Sequence, residues 1–352
     1  MKNLISLILI SLFIASCNVS TENNCVQPTI TDSLNATNNF YDNTKIYNLP
    51  LKQISIEGEI DNPGFVDFSK LPIRIVAVKE TLLSEEGKKF EGAYRYDGYS
   101  LHDILNQVII NKKNKGEFRP IVDLYIQIEN DKGEKVNISW GEIYYTNHLH
   151  EIIIASKVMR IVPTKINKLW PLPTTSKLIV TSDLITERNI SNPVKITVKS
   201  YPKSFVTIKG LKPLYSPKID IYSKNKLVET LTENPKNLQT EKFNTIFYGQ
   251  GRGVHSTKPI TGVLLKNILA KNVDCNQKNI REGIFVIVAK DGYRGVYTYS
   301  EIMNRNDQSE VLLVCEPESN HNGIFKIFPT SDFFGDRSIK GIDRIYFSAK
   351  EQ

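Results

Sequence analysis

Two similar heptapeptides occur in this chain, Lys177-Leu178-Ile179-Val180-Thr181-Ser182-Asp183 and Lys326-Ile327-Phe328-Pro329-Thr330-Ser331-Asp332. The same offset of 149 residues aligns Arg188 with Arg337. An apolar run closed by Thr-Ser-Asp predicts a buried strand that ends in a turn. We expect each Asp to form a structural ion pair, or a turn brace, with the Arg five residues after it.

Two further segments repeat in the same order. A glycine followed by apolar residues at helical spacing occurs at 96–105 and again at 259–269. A short apolar run typical of a buried strand occurs at 151–156 and again at 310–315. The sequence therefore predicts an α+β fold of two tandem mixed α/β repeats, with mostly β sheets and short helices. We place these repeats at residues 48–200 and 201–352.

Local signals give the expected elements within each repeat. Runs rich in β-branched residues predict strands at 73–78, 124–128 and 285–289. Ser100, with Asp103 three residues later, predicts the start of a helix. Its counterpart in the second repeat is expected to bury Leu265, Ile268 and Leu269.

The N-terminus has the features of a bacterial lipoprotein signal. Lys2 precedes an apolar run from Leu4 to Ala15, which ends in Ile14-Ala15-Ser16-Cys17. The run is shorter than the roughly 18 to 20 residues that span a bilayer, so it predicts a signal peptide over residues 1–16. The alternative is an ordinary secretory peptide followed by a chance cysteine.

Cleavage before Cys17 would place a palmitate-type lipid anchor on that cysteine and attach the chain to a membrane. Asn18 after the lipidated residue is compatible with sorting to the outer membrane of the bacterial cell envelope. Residues 17–47 are rich in Asn, Thr and Ser, as expected of a flexible tether.

Composition argues against several classes of function. The 352 residues carry a formal net charge of +7, but no block of five basic residues and no aromatic-basic interleaving occurs. We therefore expect no nucleic acid partner. Outside the cytoplasm, chemistry driven by ATP is also not expected.

Cysteine and histidine spacing predicts no metal site. Cys25, Cys275 and Cys315 remain after Cys17, and no pair has Cys-x-x-Cys spacing. His148 and His150 would share one face of a strand, where a surface or packing role is favoured over metal binding. A disulfide between Cys25 and Cys275 remains open.

The second repeat contains an ordered set of short motifs. After the glycine and helix entry come Asp291-Gly292-Tyr293, Ser300-Glu301-Ile302, the apolar run 311–314, Asp332 with Arg337, and a closing strand at 342–347. This order resembles the oxidoreductase molybdopterin-binding domain of the sulfite-oxidase type. The resemblance covers most of residues 240–350 and, more loosely, residues 50–200. It implies a sulfite-oxidase-like fold and molybdopterin as the cofactor.

Catalytic members of that family bind molybdenum through a cysteine just ahead of a glycine-rich, Arg-containing segment. The corresponding stretch here is Thr245 to Arg252, and no cysteine lies between Cys25 and Cys275. Neither repeat can therefore supply the soft sulfur ligand from the implied place. No catalytic residue is expected.

The glycine-rich stretch could still hold the anionic part of such a cofactor, since backbone N–H groups and cations bind phosphate. The alternative is a loop that needs glycine for its backbone conformation. The candidate cofactor-binding residues are Tyr248, Gly249, Gln250, Gly251, Arg252, His255, Tyr293 and Arg337.

Together these features predict a non-catalytic binding module in the envelope, serving a small anionic ligand or an envelope protein partner. The alternative is a divergent molybdopterin-dependent oxidoreductase of the periplasm or outer membrane. The cleft between the two copies is the expected ligand site, because pockets favour domain interfaces.

Overall fold

Strands dominate the architecture of the chain. The computed structural model describes residues 42–163, 165, 169–233, 236–316 and 324–349, which belong to one unit, Asn39–Gln352. The described residues are 44% strand and 12% helix, and four small sheets form a propeller-like ring. The predicted α+β fold of sulfite-oxidase-like tandem repeats is therefore wrong. The α-helices have only five or six residues, so the apolar runs bury their side chains mostly as strands.

The first half of the described chain, residues 42–200, contains the following elements in order: β1 (Ile46–Asn48), β2 (Ser55–Gly58), β3 (Gly64–Phe65), β4 (Arg74–Ser84), β5 (Gly87–Ser100), α1 (Leu101–Leu105), β6 (Leu124–Asn130), β7 (Lys135–Ser139), α2 (Trp140–Tyr144), β8 (Ile152–Arg160), β9 (Lys177–Val180) and β10 (Pro193–Ser200). One sheet has the order β1-β8-β5-β4, with β9 also pairing with β8. The other has the order β3-β2-β10-β6-β7.

Residues 201–218 link this half to the second half, residues 219–349. The second half contains, in order: β11 (Ile219–Ser223), β12 (Lys226–Leu231), β13 (Thr240–Phe243), β14 (Phe247–Gly249), β15 (Gly253–Ser256), β16 (Ile260–Leu264), α3 (Leu265–Leu269), α4 (Gln277–Glu282), β17 (Ile284–Ala289), β18 (Arg294–Thr298), α5 (Tyr299–Met303), β19 (Val311–Cys315), β20 (Phe325–Pro329) and β21 (Ile342–Ser348). Its sheets have the orders β12-β11-β21-β17-β18 and β13-β16-β19-β20, and β14 pairs with β15 in a separate hairpin.

The two halves share their strand connectivity. One five-stranded sheet in each half contains a parallel pair of strands. In the first half the last strand, β10, runs parallel to β2, and in the second half the last strand, β21, runs parallel to β11. In each case the next neighbours, β6 and β17, are antiparallel to that last strand. The strands β9 and β20 contain the first four residues of the two heptapeptides, and they pair antiparallel with their neighbours β8 and β19. The recurring sequence thus occupies equivalent positions in the two halves.

Several local predictions are confirmed. The runs at 73–78, 124–128 and 285–289 lie almost entirely in β4, β6 and β17. Ser100 caps α1 by accepting a hydrogen bond from the backbone N–H of Asp103. In α3 the three predicted apolar residues are buried. The local signals are right because they depend on neighbouring residues alone.

Helices α2, α4 and α5 also begin with side-chain caps, and all of the α-helices stay short. Ser139 and Glu142 form a capping box at α2, and Thr298 and Glu301 form one at α5. Both glutamates are buried, so these helix starts face the interior. Among the described residues, no helix has the length and apolar character required to cross a membrane.

Candidate functional site

The predicted glycine-rich segment forms the β14–β15 hairpin. Gly253 has φ +74°, a conformation that favours glycine. This supports the alternative interpretation, a loop that needs glycine for its backbone conformation. Tyr248 packs with Phe333 and Phe334, at ring-centroid distances of 5.8 and 6.2 Å. Arg252 is exposed at the tip of the hairpin.

Asp336 joins two of the candidate residues. The backbone N–H of Gln250 donates to Asp336 Oδ2 at 3.2 Å, and the Tyr293 hydroxyl donates to the Asp336 carbonyl at 2.8 Å. The structure therefore brings the hairpin and Tyr293 to the same place, as the resemblance implied. However, the backbone donor that would hold a cofactor phosphate already binds a carboxylate of the protein itself.

Arg337 points away from any ligand at the hairpin. Its side chain is 1% exposed and forms a two-point ion pair with Asp332, with distances of 2.8 and 2.6 Å. Its Nη1 also donates to Glu301 at 2.6 Å. The predicted ion pair is confirmed, and it places the Arg337 guanidinium inside the protein, where it serves packing rather than cofactor binding.

Arg188 makes the equivalent contacts in the first half. It pairs with Asp183 at 2.8 and 2.6 Å and with Glu142 at 2.7 Å, and its side chain is fully buried. The two groups meet: Nη1 of Arg188 donates to Thr298 Oγ1, and Nη1 of Arg337 donates to Ser139 Oγ, both at 3.3 Å. We call this set the ionic centre; it comprises Glu142, Asp183, Arg188, Glu301, Asp332 and Arg337.

The acids of the ionic centre differ in the direction in which their pKa values are shifted. Burial disfavours the charged form of Glu142, but the charge and hydrogen bonds of Arg188 outweigh burial and lower its pKa. Burial raises the pKa of Glu301 to about 7, against the opposing charge of Arg337. Burial also raises the pKa values of Asp183 and Asp332. The ionic centre is thus a structural junction that is sensitive to pH.

The thiols of the described residues do not lie at the hairpin. Cys275 is exposed and contacts Tyr299, and Cys315 ends β19, half-buried against the core of the second half. Neither thiol lines the cavity of about 340 Å³ beside Gln250, whose walls include Trp140, Tyr144 and Phe334. The described residues at the hairpin therefore do not fit a molybdenum cofactor. Cys17 and Cys25 lie outside the described residues.

A cavity of about 490 Å³ lies between the two halves. The first half contributes strands β6, β7 and β10, the linker contributes Tyr201 and Pro202, and the second half contributes the end of α4 and strands β17 and β21. The polar side chains on its wall include Glu59, Lys113, Asn114, Gln127, Asn137, Lys199, Tyr201 and Glu282. A cleft between the halves is where the sequence predicted a ligand site.

Two residues on this wall, Tyr201 and Asn114, each have a buried side-chain atom that lacks a hydrogen-bond partner within the described part of the chain. They are the hydroxyl of Tyr201, a residue only 5% exposed, and the side-chain oxygen of Asn114. Burial raises the pKa of Tyr201 to about 12, so its hydroxyl stays protonated and able to donate. A buried polar group without a partner costs about 1 to 3 kcal/mol. Since both atoms are closed to solvent, a ligand in the cavity recovers that cost only if the wall shifts to expose them.

The rest of the wall is held in place by hydrogen bonds, one of which crosses between the halves. Lys199 Nζ donates to Gln127 at 3.0 Å, Gln127 donates to Asn137 at 3.2 Å, and Asn137 donates to the Glu282 carbonyl at 2.7 Å. The Glu59 carboxylate accepts from the backbone and hydroxyl of Ser200, each at 2.9 Å. The cavity wall is therefore largely preorganised.

The chain matches no family model, and no curated protein matches it. Function must therefore be inferred from the geometry. The sequence pointed to the cleft but not to Tyr201 or Asn114, because nothing in a single tyrosine or asparagine signals an unpaired buried atom.

Proposed function

We propose that this protein is a non-catalytic binding module of the bacterial cell envelope that takes a small anionic ligand between its two halves. The observation that carries the proposal is the cavity between the halves, whose lining includes Tyr201, a residue with a buried hydroxyl that lacks a partner among the described residues. A cavity of about 490 Å³ falls within the range typical of small-molecule sites.

The polar groups on the wall favour a ligand with an acidic group. Lys113 and Lys199 bring positive charge, and the Tyr201 hydroxyl can donate to a carboxylate or phosphate oxygen. The negative charge of Glu59 is met by donors of the protein, including the backbone N–H of Lys113 at 2.8 Å. Asn114 Oδ1 accepts, so a ligand that also carries a hydroxyl or amino donor fits best.

Mass spectrometry of small molecules released from natively purified protein on denaturation tests this proposal. We expect one acidic compound at near-equimolar amount. Isothermal titration with that compound should then show binding weakened about 10- to 100-fold by Tyr201→Phe, which removes one hydrogen bond to a charged group. Tyr215→Phe is the matched control, since Tyr215 is exposed and does not line the cavity. Unchanged affinity in Tyr201→Phe would contradict the cavity as the site.

Attachment through a lipid on Cys17, and with it an outer-membrane location, belongs to the same proposal. Residues 1–41 lie outside the described residues, so this part depends on the signal-like sequence alone. Metabolic labelling with an alkyne fatty acid should mark the wild-type chain in the membrane fraction. Cys17→Ser should abolish the label, whereas Cys275→Ser should retain it.

If the purified protein releases no small molecule but crosslinks to a second envelope protein, the ligand is that envelope protein partner. The oxidoreductase alternative has less support, because the fold class differs and neither described thiol lies at the hairpin. Pterin fluorescence in the released fraction would favour it.

A further inference from the structure

A group of potential metal ligands lies at the start of α1, among residues that do not line the cavity between the halves. His102 and Asp103 are in the first turn of this helix, and His150 precedes β8. One ligand atom from each of the three residues lies within 4.8 Å of the other two. All three side chains are partly buried, with exposed fractions of 18%, 11% and 34%.

His102 and Asp103 are close without being hydrogen-bonded. The distance from His102 Nδ1 to Asp103 Oδ1 is 3.7 Å, which is too long for a hydrogen bond. Two ligands of a tetrahedral zinc ion, each about 2.1 Å from the metal, lie about 3.4 Å apart. The gap between these two atoms therefore nearly matches the spacing that a bound zinc ion requires.

The hydrogen bonds around the histidines assign a lone pair or a proton to each Nδ1 atom. Asn106 Nδ2, which can only donate, lies 3.3 Å from His102 Nδ1, so the lone pair of this nitrogen accepts that hydrogen bond, which a metal ion bound at Nδ1 would replace. The Ser100 hydroxyl donates to Asp103 Oδ2 at 2.8 Å and lies 3.0 Å from His150 Nδ1. Since that hydroxyl proton is used, His150 Nδ1 donates to Ser100 in the metal-free protein. Because Nδ1 lies 3.7 Å from Asp103 Oδ2, zinc binding at this nitrogen requires the ring proton to move to Nε2.

The carboxylate is oriented as carboxylate ligands of metals usually are. Arg74 donates to Asp103 Oδ2 at 2.8 Å and to Oδ1 at 3.2 Å. Together with Ser100, these contacts use three of about four lone-pair positions and leave one on Oδ1, the oxygen nearest to His102 Nδ1. Outer hydrogen bonds of this kind fix the ligands of metal sites.

Space for an exchangeable fourth ligand adjoins the group. His150 lines an open cavity of about 600 Å³, together with His148 and Glu151. Sites with three protein ligands and one open position bind water or an exogenous ligand at the metal. Two imidazoles and one carboxylate are a common donor set for Zn²⁺.

We propose that His102, Asp103 and His150 form a binding site for one Zn²⁺ ion, with a fourth coordination position open to the adjoining cavity. The site is independent of the ligand proposed for the cavity between the halves. Binding requires the three side chains to move closer, since their grouped ligand atoms lie within 4.8 Å of one another and the ligands of a tetrahedral zinc ion lie about 3.4 Å apart.

Zinc titration of the full-length, untagged protein tests the site. Competition against a chromophoric chelator should show one Zn²⁺ bound per chain. His102→Ala and His150→Ala should each weaken zinc binding by more than tenfold. Removing only a hydrogen-bond partner of a metal ligand already costs about tenfold or more in affinity, and these variants remove a ligand itself. His255→Ala is the matched control, because His255 lies on β15 and outside the group. Cobalt should replace zinc and give the strong visible absorption of tetrahedral Co²⁺, lost in both variants.

Two results would overturn the proposal. One is a wild-type chain that binds no zinc in the chelator competition. The other is zinc binding that His102→Ala and His150→Ala leave as strong as His255→Ala does. Circular dichroism of each variant checks folding, and His150→Gln, which keeps a polar side chain at a partly exposed position, serves if His150→Ala fails to fold.

Discussion

Replacing Gly141 by alanine should strongly destabilise the protein, although Gly141 lies within a short helix where alanine is normally preferred. A Cβ atom at this position would lie 2.0 Å from Cζ and 2.1 Å from Nη1 of Arg337. The Arg337 side chain is 1% exposed and bound on several sides, so it has no open space into which to move. The glycine is required by the close approach of the guanidinium.

The size of the effect follows from these distances. Ordinary contacts between carbon atoms begin near 3.5 Å, so the guanidinium would have to retreat by about 1.5 Å. That shift would lengthen its hydrogen bonds to Asp332 and Glu301, now 2.6 to 2.8 Å, beyond hydrogen-bonding distance. Overpacking costs about 1 to 3 kcal/mol, and breaking a buried ion pair costs about 3 to 5 kcal/mol. We expect a loss of at least about 3 kcal/mol.

Urea unfolding followed by circular dichroism measures this loss. Gly116→Ala is the matched control, because an added Cβ there meets nothing within 4 Å and no positive φ is required. The control should change the unfolding free energy by less than about 0.5 kcal/mol, as surface substitutions usually do. Equal midpoints for Gly141→Ala and Gly116→Ala would refute the close contact between Gly141 and Arg337.

Two more predictions concern the ionic centre. Asp183→Asn and Asp332→Asn should each destabilise the fold by about 3 to 5 kcal/mol in urea unfolding, since each leaves a buried arginine with fewer carboxylates. Asp67→Asn, at an exposed ion pair, should change the stability far less. Similar losses for all three would contradict a buried ionic centre. Because burial raises the pKa of Glu301 from 4.5 to about 7, the stability it contributes is present below pH 4.5 and lost as the pH rises to about 7. The stability of the wild type relative to Glu301→Gln should therefore fall between pH 4.5 and 7 and stay level above it, and a difference independent of pH would contradict the raised pKa.

The sequence predicted local features well because they depend on neighbouring residues. The heptapeptides, the N-cap at Ser100 and the pairing of each Asp with the Arg five residues on are all found in the structure. The fold class could not be obtained this way, because a short apolar run after a glycine fits both a helix entry and a strand. Here the helices end after about one turn, and strands take up most of the apolar sequence.

For the candidate sites, too, features within one short segment could be predicted from the sequence, whereas contacts between distant segments could not. The glycine-rich stretch was visible, but Asp336, which occupies the Gln250 backbone donor, lies far along the chain. The proposed zinc ligands come from two separated segments, so their histidines show no spacing pattern. Tyr201 gains its interest only from what surrounds it in the folded chain, and no sequence signal marks such an atom.

The ionic centre also explains how the cavity between the halves can keep its shape. Each buried arginine contacts the hydroxyl that begins a helix of the opposite half, Arg188 with Thr298 and Arg337 with Ser139. Thr298 in turn donates to Glu142 at 2.9 Å. Because separating the halves would expose or unpair these buried charges, the junction resists opening. The cavity wall is therefore held by both halves, and a ligand that binds there pays little to order its site.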